Sequence, residues 1–85
     1  MTEKVSVPLT KAPRGRRLEV TDIPAGKNRD QLIRLGILKG EFIQCLQKLP
    51  GGTMIIEKNR QEIALGVALA STILVRADGK AETRE

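Results

Sequence analysis

The stretch EFIQCLQKLPGGTMIIEKNRQEIAL, residues 41–65, decides the fold of this chain. Apolar and polar side chains alternate along it, as they do in strands with one buried face. Residues 50–53, Pro-Gly-Gly-Thr, and the pair Asn59-Arg60 interrupt the alternation with residue types that form tight turns. The pattern therefore predicts an antiparallel meander of three strands, at residues 41–49, 54–58 and 61–65.

Upstream of this meander we predict one strand and one short helix. Residues 17–23 alternate in the same way, and Gly26 follows as a turn residue. Asn28 and Gln31 have the spacing of a capping box, which predicts that Asn28 caps the helix. Gly36 supplies the left-handed residue that commonly ends a helix, here after about two turns.

Downstream, residues 67–70 suit one further helical turn, and residues 72–76 suit a closing strand because they are rich in branched side chains. Phe42 is the only aromatic residue, so the core must be aliphatic. We predict a mainly β fold, a small antiparallel barrel with one short α-helix and one further helical turn. The expected division is an N-terminal segment at residues 1–13, the barrel at 14–76 and a flexible C-terminal tail at 77–85.

The composition excludes several kinds of catalytic and metal site. The 85 residues are enough for one small domain, with Cys45 as the lone thiol and no histidine. Such a chain forms no internal disulfide, no Cys/His zinc site and no histidine-based triad. Its carboxylates are spread over several predicted elements, and Cys45 lies in an apolar run where a buried thiol is expected. We therefore expect no catalytic residue, no metal site and no cofactor.

The net charge of +5 is concentrated towards the N-terminal side of the chain. The densest basic group is Lys11, Arg14, Arg16 and Arg17, with no acidic residue among them. A solvated loop explains this group, and the functional alternative is a patch for phosphate, anionic lipid headgroups or an acidic protein face. The sequence leaves both interpretations open.

The longest uncharged run, residues 63–75, has 13 residues. A helix that spans a bilayer needs about 18 or more, so a buried segment is the better interpretation. Residues 1–11 lack the apolar stretch of a signal peptide. We therefore expect a cytoplasmic protein.

Three stretches carry a family resemblance: RLGILKG at residues 34–40, LPGGTMII at 49–56 and IALGVALASTILV at 63–75. With residues 14–75 taken together, the chain resembles the FeoA family, small cytosolic proteins associated with bacterial ferrous iron uptake. The resemblance implies an SH3-like small barrel without catalytic activity of its own. It also implies a partner, the cytosolic part of a FeoB-type ferrous iron transporter, so that the membrane is reached only through that partner.

The placement of charged and apolar residues suggests two contact surfaces. The predicted helix carries Arg29 and Arg34, which we expect to contact the transporter. Val67 and Leu69 stand where the family would have polar residues. They are either core residues or an exposed apolar spot that contacts the partner or a second copy in a homodimer.

Two other functions compete with this one. A small basic barrel that binds nucleic acid would suit the charge of +5. Such barrels usually present aromatic platforms for bases, and Phe42 is the only ring, so we expect no nucleic-acid partner. The C-terminal module of iron-dependent repressors also resembles the FeoA family. In those proteins a DNA-binding region precedes the module, and residues 1–15 are too short for a helix-turn-helix.

Overall fold

The computed structural model describes residues 6–77, which form a curled antiparallel sheet of six strands with two short α-helices. The strands are β1 (Val7–Pro8), β2 (Arg17–Asp22), β3 (Phe42–Lys48), β4 (Met54–Lys58), β5 (Gln61–Leu65) and β6 (Leu74–Ala77). The helices are α1 (Lys27–Arg34) and α2 (Val67–Ala70), with a 3-10 helix at Leu9–Lys11. The strand order is β1-β6-β2-β3-β4-β5, and the prediction of a mainly β, antiparallel fold is confirmed.

The core lies inside the curl of the sheet and is aliphatic. Its members are Leu9, Ala12, Leu18, Val20, Ile23, Leu32, Ile37, Ile43, Cys45, Met54, Ile56, Leu65, Ala70, Ile73 and Val75. Within residues 6–77 no polar or charged side chain is buried. Alternate residues of β2, β3 and β4 enter the core, because successive side chains of a strand point to opposite faces. Burial of the Cys45 thiol, expected from its apolar surroundings, is confirmed.

The β3–β4–β5 meander follows the predicted strands to within one residue. Lys48 pairs with Met54 at one end of the meander, and Lys58 pairs with Gln61 at the other. The second turn holds two non-glycine residues in the left-handed region, Asn59 at φ 52° and Arg60 at φ 68°. Two successive residues with positive φ are typical of the tight turn that joins two adjacent antiparallel strands.

Helix α1 begins differently from the prediction and ends as predicted. Gly26, not Asn28, is the N-cap, and no side chain caps the helix. Gly26 has a φ of 144°, which a glycine adopts without strain, so the chain turns into the helix earlier than a side-chain cap would require. At the other end, the amides of Gly36 and Ile37 donate to the carbonyls of Ile33 and Leu32, both at 2.9 Å. Gly36 has a φ of 82°, and the two bonds form a Schellman motif.

Residues 7–12, which the sequence division placed ahead of the barrel, pack onto it. Val7 pairs with Val75 in β6, and the Leu9 amide donates to the Ile73 carbonyl at 2.8 Å. A strand of two residues is too short to show an alternating pattern, so no sequence pattern predicts it. At the other end, Ala77 belongs to β6, and the rest of the expected tail lies outside the described residues.

None of the helices within residues 6–77 is long and apolar enough to cross a bilayer.

Candidate functional site

One face of α1 and the turn after it form a mixed apolar and basic surface. Arg29 and Ile33 are four residues apart and therefore lie one above the other on the helix. Leu38 and Lys39 line the same depression, which has a volume of about 190 Å³ and is completed by Asp22 and Ile23. We call Arg29, Ile33, Leu38 and Lys39 the helix-end patch.

The two aliphatic members of the helix-end patch are unusually exposed for their type. Ile33 is 44% exposed and Leu38 is 40% exposed, whereas their neighbours Leu32 and Ile37 are fully buried. Large aliphatic side chains that remain in water beside an arginine have the composition of a protein-contact surface. The patch therefore can bury apolar area against a partner while its cations meet acidic groups.

The main chain fixes the turn that carries Leu38 and Lys39. The Gly40 amide donates to the Val20 carbonyl at 2.8 Å, and the Val20 amide donates to the Glu41 carbonyl at 2.9 Å. The Glu41 amide closes the turn by donating to the Leu38 carbonyl at 3.0 Å. Because these bonds tie the turn to β2, the patch is positioned by the sheet and not by its own side chains.

Arg34, the second helix residue expected to contact a partner, lies on a different side of α1. It follows Arg29 by five residues, which places the two side chains about 140° apart around the helix axis. Both are exposed. The structure therefore joins Arg29 to Ile33 and separates it from Arg34.

Val67 and Leu69 also lie on different sides of their helical turn, α2. Val67 is 49% exposed, and its Cβ would come within 2.9 Å of a Cβ placed on Gly52. Leu69 is half-buried and packs against the core. The sequence left two interpretations open, a core residue or an exposed apolar residue. Leu69 packs against the core, and Val67 is exposed.

The basic group at residues 11–17 is divided by the fold. Lys11 and Arg14 are exposed, and Arg16 is half-buried. Arg17 lies over the ring of Phe42, with its guanidinium carbon 4.0 Å from the ring centre, which is cation–π geometry. The four residues therefore do not form a single patch.

The fold adds Lys48 to the exposed part of this basic group. The Lys48 amine donates to the Thr10 carbonyl at 3.2 Å. Because Thr10 directly precedes Lys11, this bond brings Lys48 close to Lys11. Val67 lies close by, because Thr10, Lys48 and Val67 line one shallow depression. We call Lys11, Arg14, Lys48 and Val67 the loop-end patch.

Sequence reasoning missed Ile33, Leu38 and Lys48 as surface residues. Lys48 is far from the basic group in sequence, so only the fold could reveal it. Ile33 did carry a signal, because it directly follows Leu32 and a helix of two turns buries one narrow stripe.

Two carboxylates in the described part of the chain, Glu19 and Glu41, form ion pairs, and the acidic side chains there do not converge. Glu19 accepts from Arg76 at 2.8 Å, and Glu41 lies 3.5 Å from the amine of Lys58. Among residues 6–77, no three His, Cys, Asp or Glu side chains lie close enough to hold a metal ion.

Comparison with known proteins identifies the family. A model of the FeoA domain matches residues 7–77. The crystal structure of an iron uptake regulatory protein, FeoA, is 31% identical, with a TM-score of 0.77 over 87% of this chain and 99% of that one. No curated protein sequence matches this chain significantly.

Two further solved structures share the fold. The zinc complex of FeoA from Stenotrophomonas maltophilia, described as a prokaryotic SH3 domain protein, is 23% identical with a TM-score of 0.59, covering 91% of this chain and 93% of that one. The manganese regulator SloR is 15% identical with a TM-score of 0.77, covering 85% of this chain and 34% of that one. From the match of the FeoA model to residues 7–77, this chain belongs to the FeoA family, which is linked to ferrous iron transport, and its curled sheet is the SH3-like fold of that family.

Proposed function

We propose that this protein is a non-catalytic accessory module of bacterial ferrous iron uptake, and that it docks on the cytosolic part of a FeoB-type transporter. Membership of the FeoA family supports the link to ferrous iron. The observation that carries the docking is the helix-end patch, where Ile33 and Leu38 stay exposed between the cations Arg29 and Lys39.

Docking would bury the exposed aliphatic side chains of this patch. Burying a large aliphatic side chain completely contributes about 1.5–3 kcal/mol, and Ile33 and Leu38 each have part of that still available. Arg29 and Lys39 would orient the complex by facing acidic groups on the transporter. The complementary surface is therefore an apolar projection with carboxylates around it.

A titration of the transporter's purified cytosolic domain tests this docking. We expect Arg29→Glu to weaken binding about tenfold or more, because it places a carboxylate against an acidic rim. Arg34→Glu is the matched control, since it makes the same charge change on another side of the same helix, and it should change affinity less than about twofold. Equal losses in the two variants, or full affinity in Arg29→Glu, would remove the helix-end patch from the proposal.

A second copy of this chain is the competing occupant of the helix-end patch. Sedimentation velocity of the protein alone distinguishes the two. We expect a monomer whose sedimentation is unchanged in an Ile33→Ser variant. A dimer that dissociates in that variant would assign the patch to self-association and contradict docking on the transporter.

A nucleic-acid-binding barrel is the competing function. The one aromatic ring, Phe42, has a guanidinium over its face, which leaves less of the ring for stacking bases. Filter binding to RNA and duplex DNA at two salt concentrations tests the nucleic-acid function against docking on the transporter. Micromolar binding with a steep salt dependence, together with no capture of the transporter domain, would favour the nucleic-acid function over ours.

A further inference from the structure

Three segments meet at one end of the β3–β4–β5 meander, which we call the loop end. They are residues 9–16, 45–53 and 63–70. Lys48 of the second segment bonds the Thr10 carbonyl, and the Gly15 amide donates to the Cys45 carbonyl at 2.8 Å. Helix α2 of the third segment packs on the 3-10 helix of the first. The loop end is therefore a continuous surface built from distant parts of the chain.

This surface carries cations and no carboxylate. Residues 9–17, 45–56 and 63–70 contain no Asp or Glu. The carboxylates of the described residues lie outside these segments: Glu19, Asp22, Asp30, Glu41, Glu57 and Glu62. Lys11, Arg14 and Lys48 are exposed, so their charges face solvent with no acid from the same segments to offset them. A surface of one sign is a binding surface for the opposite sign.

An exposed aliphatic side chain accompanies the cations. Val67, 49% exposed, lines a depression of about 100 Å³ with Thr10, Lys48, Gly52 and Met54. Val67 packs closely over Gly52, because a Cβ added at position 52 would lie 2.9 Å from the Val67 Cβ. Cations beside an apolar side chain suit the boundary between lipid headgroups and acyl chains.

The helix-end patch lies at the opposite end of the meander. The turn that carries Leu38 and Lys39 leads into the first residue of β3, whereas Lys48 is the last. Phe42 and Lys48 are six residues apart, which is about 20 Å along an extended strand. A partner that occupies the helix-end patch can therefore leave the loop end uncovered.

From these observations we infer that the loop-end patch binds anionic phospholipid headgroups at the membrane surface around the transporter. The inference rests on the proposed function, which brings the protein to that membrane, and it replaces the expectation that the membrane is reached only through the partner. Lipid is favoured over nucleic acid because the loop end holds a valine and no aromatic ring within the described residues. Each cation near an anionic bilayer adds on the order of fivefold in affinity.

Vesicle co-sedimentation tests the inference without the transporter. We expect the wild-type protein to bind phosphatidylglycerol-containing vesicles at low salt, to be released at high salt, and to ignore pure phosphatidylcholine vesicles. The double variant Lys11→Glu/Arg14→Glu should lose affinity at least about tenfold. The control Lys27→Glu/Arg34→Glu makes the same change in net charge at exposed positions on α1 and should lose less than about threefold.

The outcomes separate this inference from the proposed function. Equal losses in the two double variants would show attraction by net charge alone and would overturn the inference. Tighter binding to duplex DNA or RNA than to the anionic vesicles would also overturn it. Lys11→Glu/Arg14→Glu should still bind the transporter's soluble cytosolic domain with wild-type affinity. Loss of transporter binding in this double variant would contradict a separate lipid surface. Unchanged transporter binding in Arg29→Glu would count against the docking alone.

Discussion

The two ends of the β3–β4–β5 meander differ in charge, in apolar exposure and in how the main chain holds them. The helix end mixes Arg29 and Lys39 with Asp22 around two exposed aliphatic residues. The loop end has cations without carboxylates and a single exposed valine. A small chain can thus carry two surfaces of different composition about 20 Å apart by placing them at opposite ends of one strand.

The largest expected effect concerns how the loop end is built. Gly52→Ala should lower the free energy of unfolding by about 3 kcal/mol, because Gly52 has a φ of 100° and a Cβ there would lie 2.9 Å from the Val67 Cβ. Gly51→Ala is the matched control, with a φ of 92° and open space around it, and should cost about 1 kcal/mol. Urea denaturation measures both. Equal costs would show that the contact with Val67 does not constrain the loop end.

The next largest effect concerns two similarly exposed aliphatic residues, which we expect to affect different binding activities. Ile33→Ser should weaken binding to the transporter domain about tenfold and leave vesicle binding unchanged, since Ile33 belongs to the helix-end patch. Val67→Ser should leave transporter binding unchanged and weaken vesicle binding about threefold. Titration against the transporter domain and vesicle co-sedimentation measure the two affinities of each variant. Loss of both activities in either variant would mean that the two ends do not act separately.

A smaller effect is expected at the turn between β4 and β5, on the helix-end side of the meander. Arg60 holds a φ of 68° without being glycine, and this conformation is strained for a residue with a Cβ. Arg60→Gly should therefore raise the free energy of unfolding by about 0.5–1 kcal/mol, measured by thermal or urea unfolding. Asn59 is the comparison, because asparagine tolerates this region and Asn59→Gly should gain less. A destabilised Arg60→Gly would show that the arginine makes a compensating contact.

The smallest effect belongs to the pair that links β2 and β6. Glu19 and Arg76 face each other across the strands at 2.8 Å, and both side chains are about one third exposed. A double-mutant cycle with Glu19→Gln and Arg76→Gln should give a coupling of about 0.5 kcal/mol that falls as salt is added. A coupling that is unchanged in high salt would indicate packing of the arginine stem as the main interaction.

The sequence predicts the regular part of this fold well, because strand alternation and turn residues act locally. The three strands of the meander, the helical turn at Val67–Ala70 and the end of α1 at Gly36 all follow from short-range patterns. The cap at Asn28 was wrong because a glycine with positive φ makes the same turn without a side-chain bond. Strand β1 was missed because its two residues acquire meaning only by pairing with β6.

The candidate surfaces were less predictable for a physical reason. Exposure depends on which residues the fold leaves uncovered, and hydrophobicity without the helical period gives Leu32 and Ile33 the same weight. Arg29 was proposed as a contact because it is a charged residue on a helix, but its relation to Leu38 exists only through the turn bonded to β2. Lys48 likewise joins Lys11 only through the Thr10 carbonyl.

The hydrogen bonds between Val20 and the turn at residues 38–41 have an evolutionary consequence. They involve only peptide groups, so they persist whatever side chains stand at Leu38 and Lys39. Substitutions at these two positions can therefore change the exposed surface while the barrel stays intact. The turn can thus take on a different surface chemistry through two adjacent positions without a change in its main-chain frame.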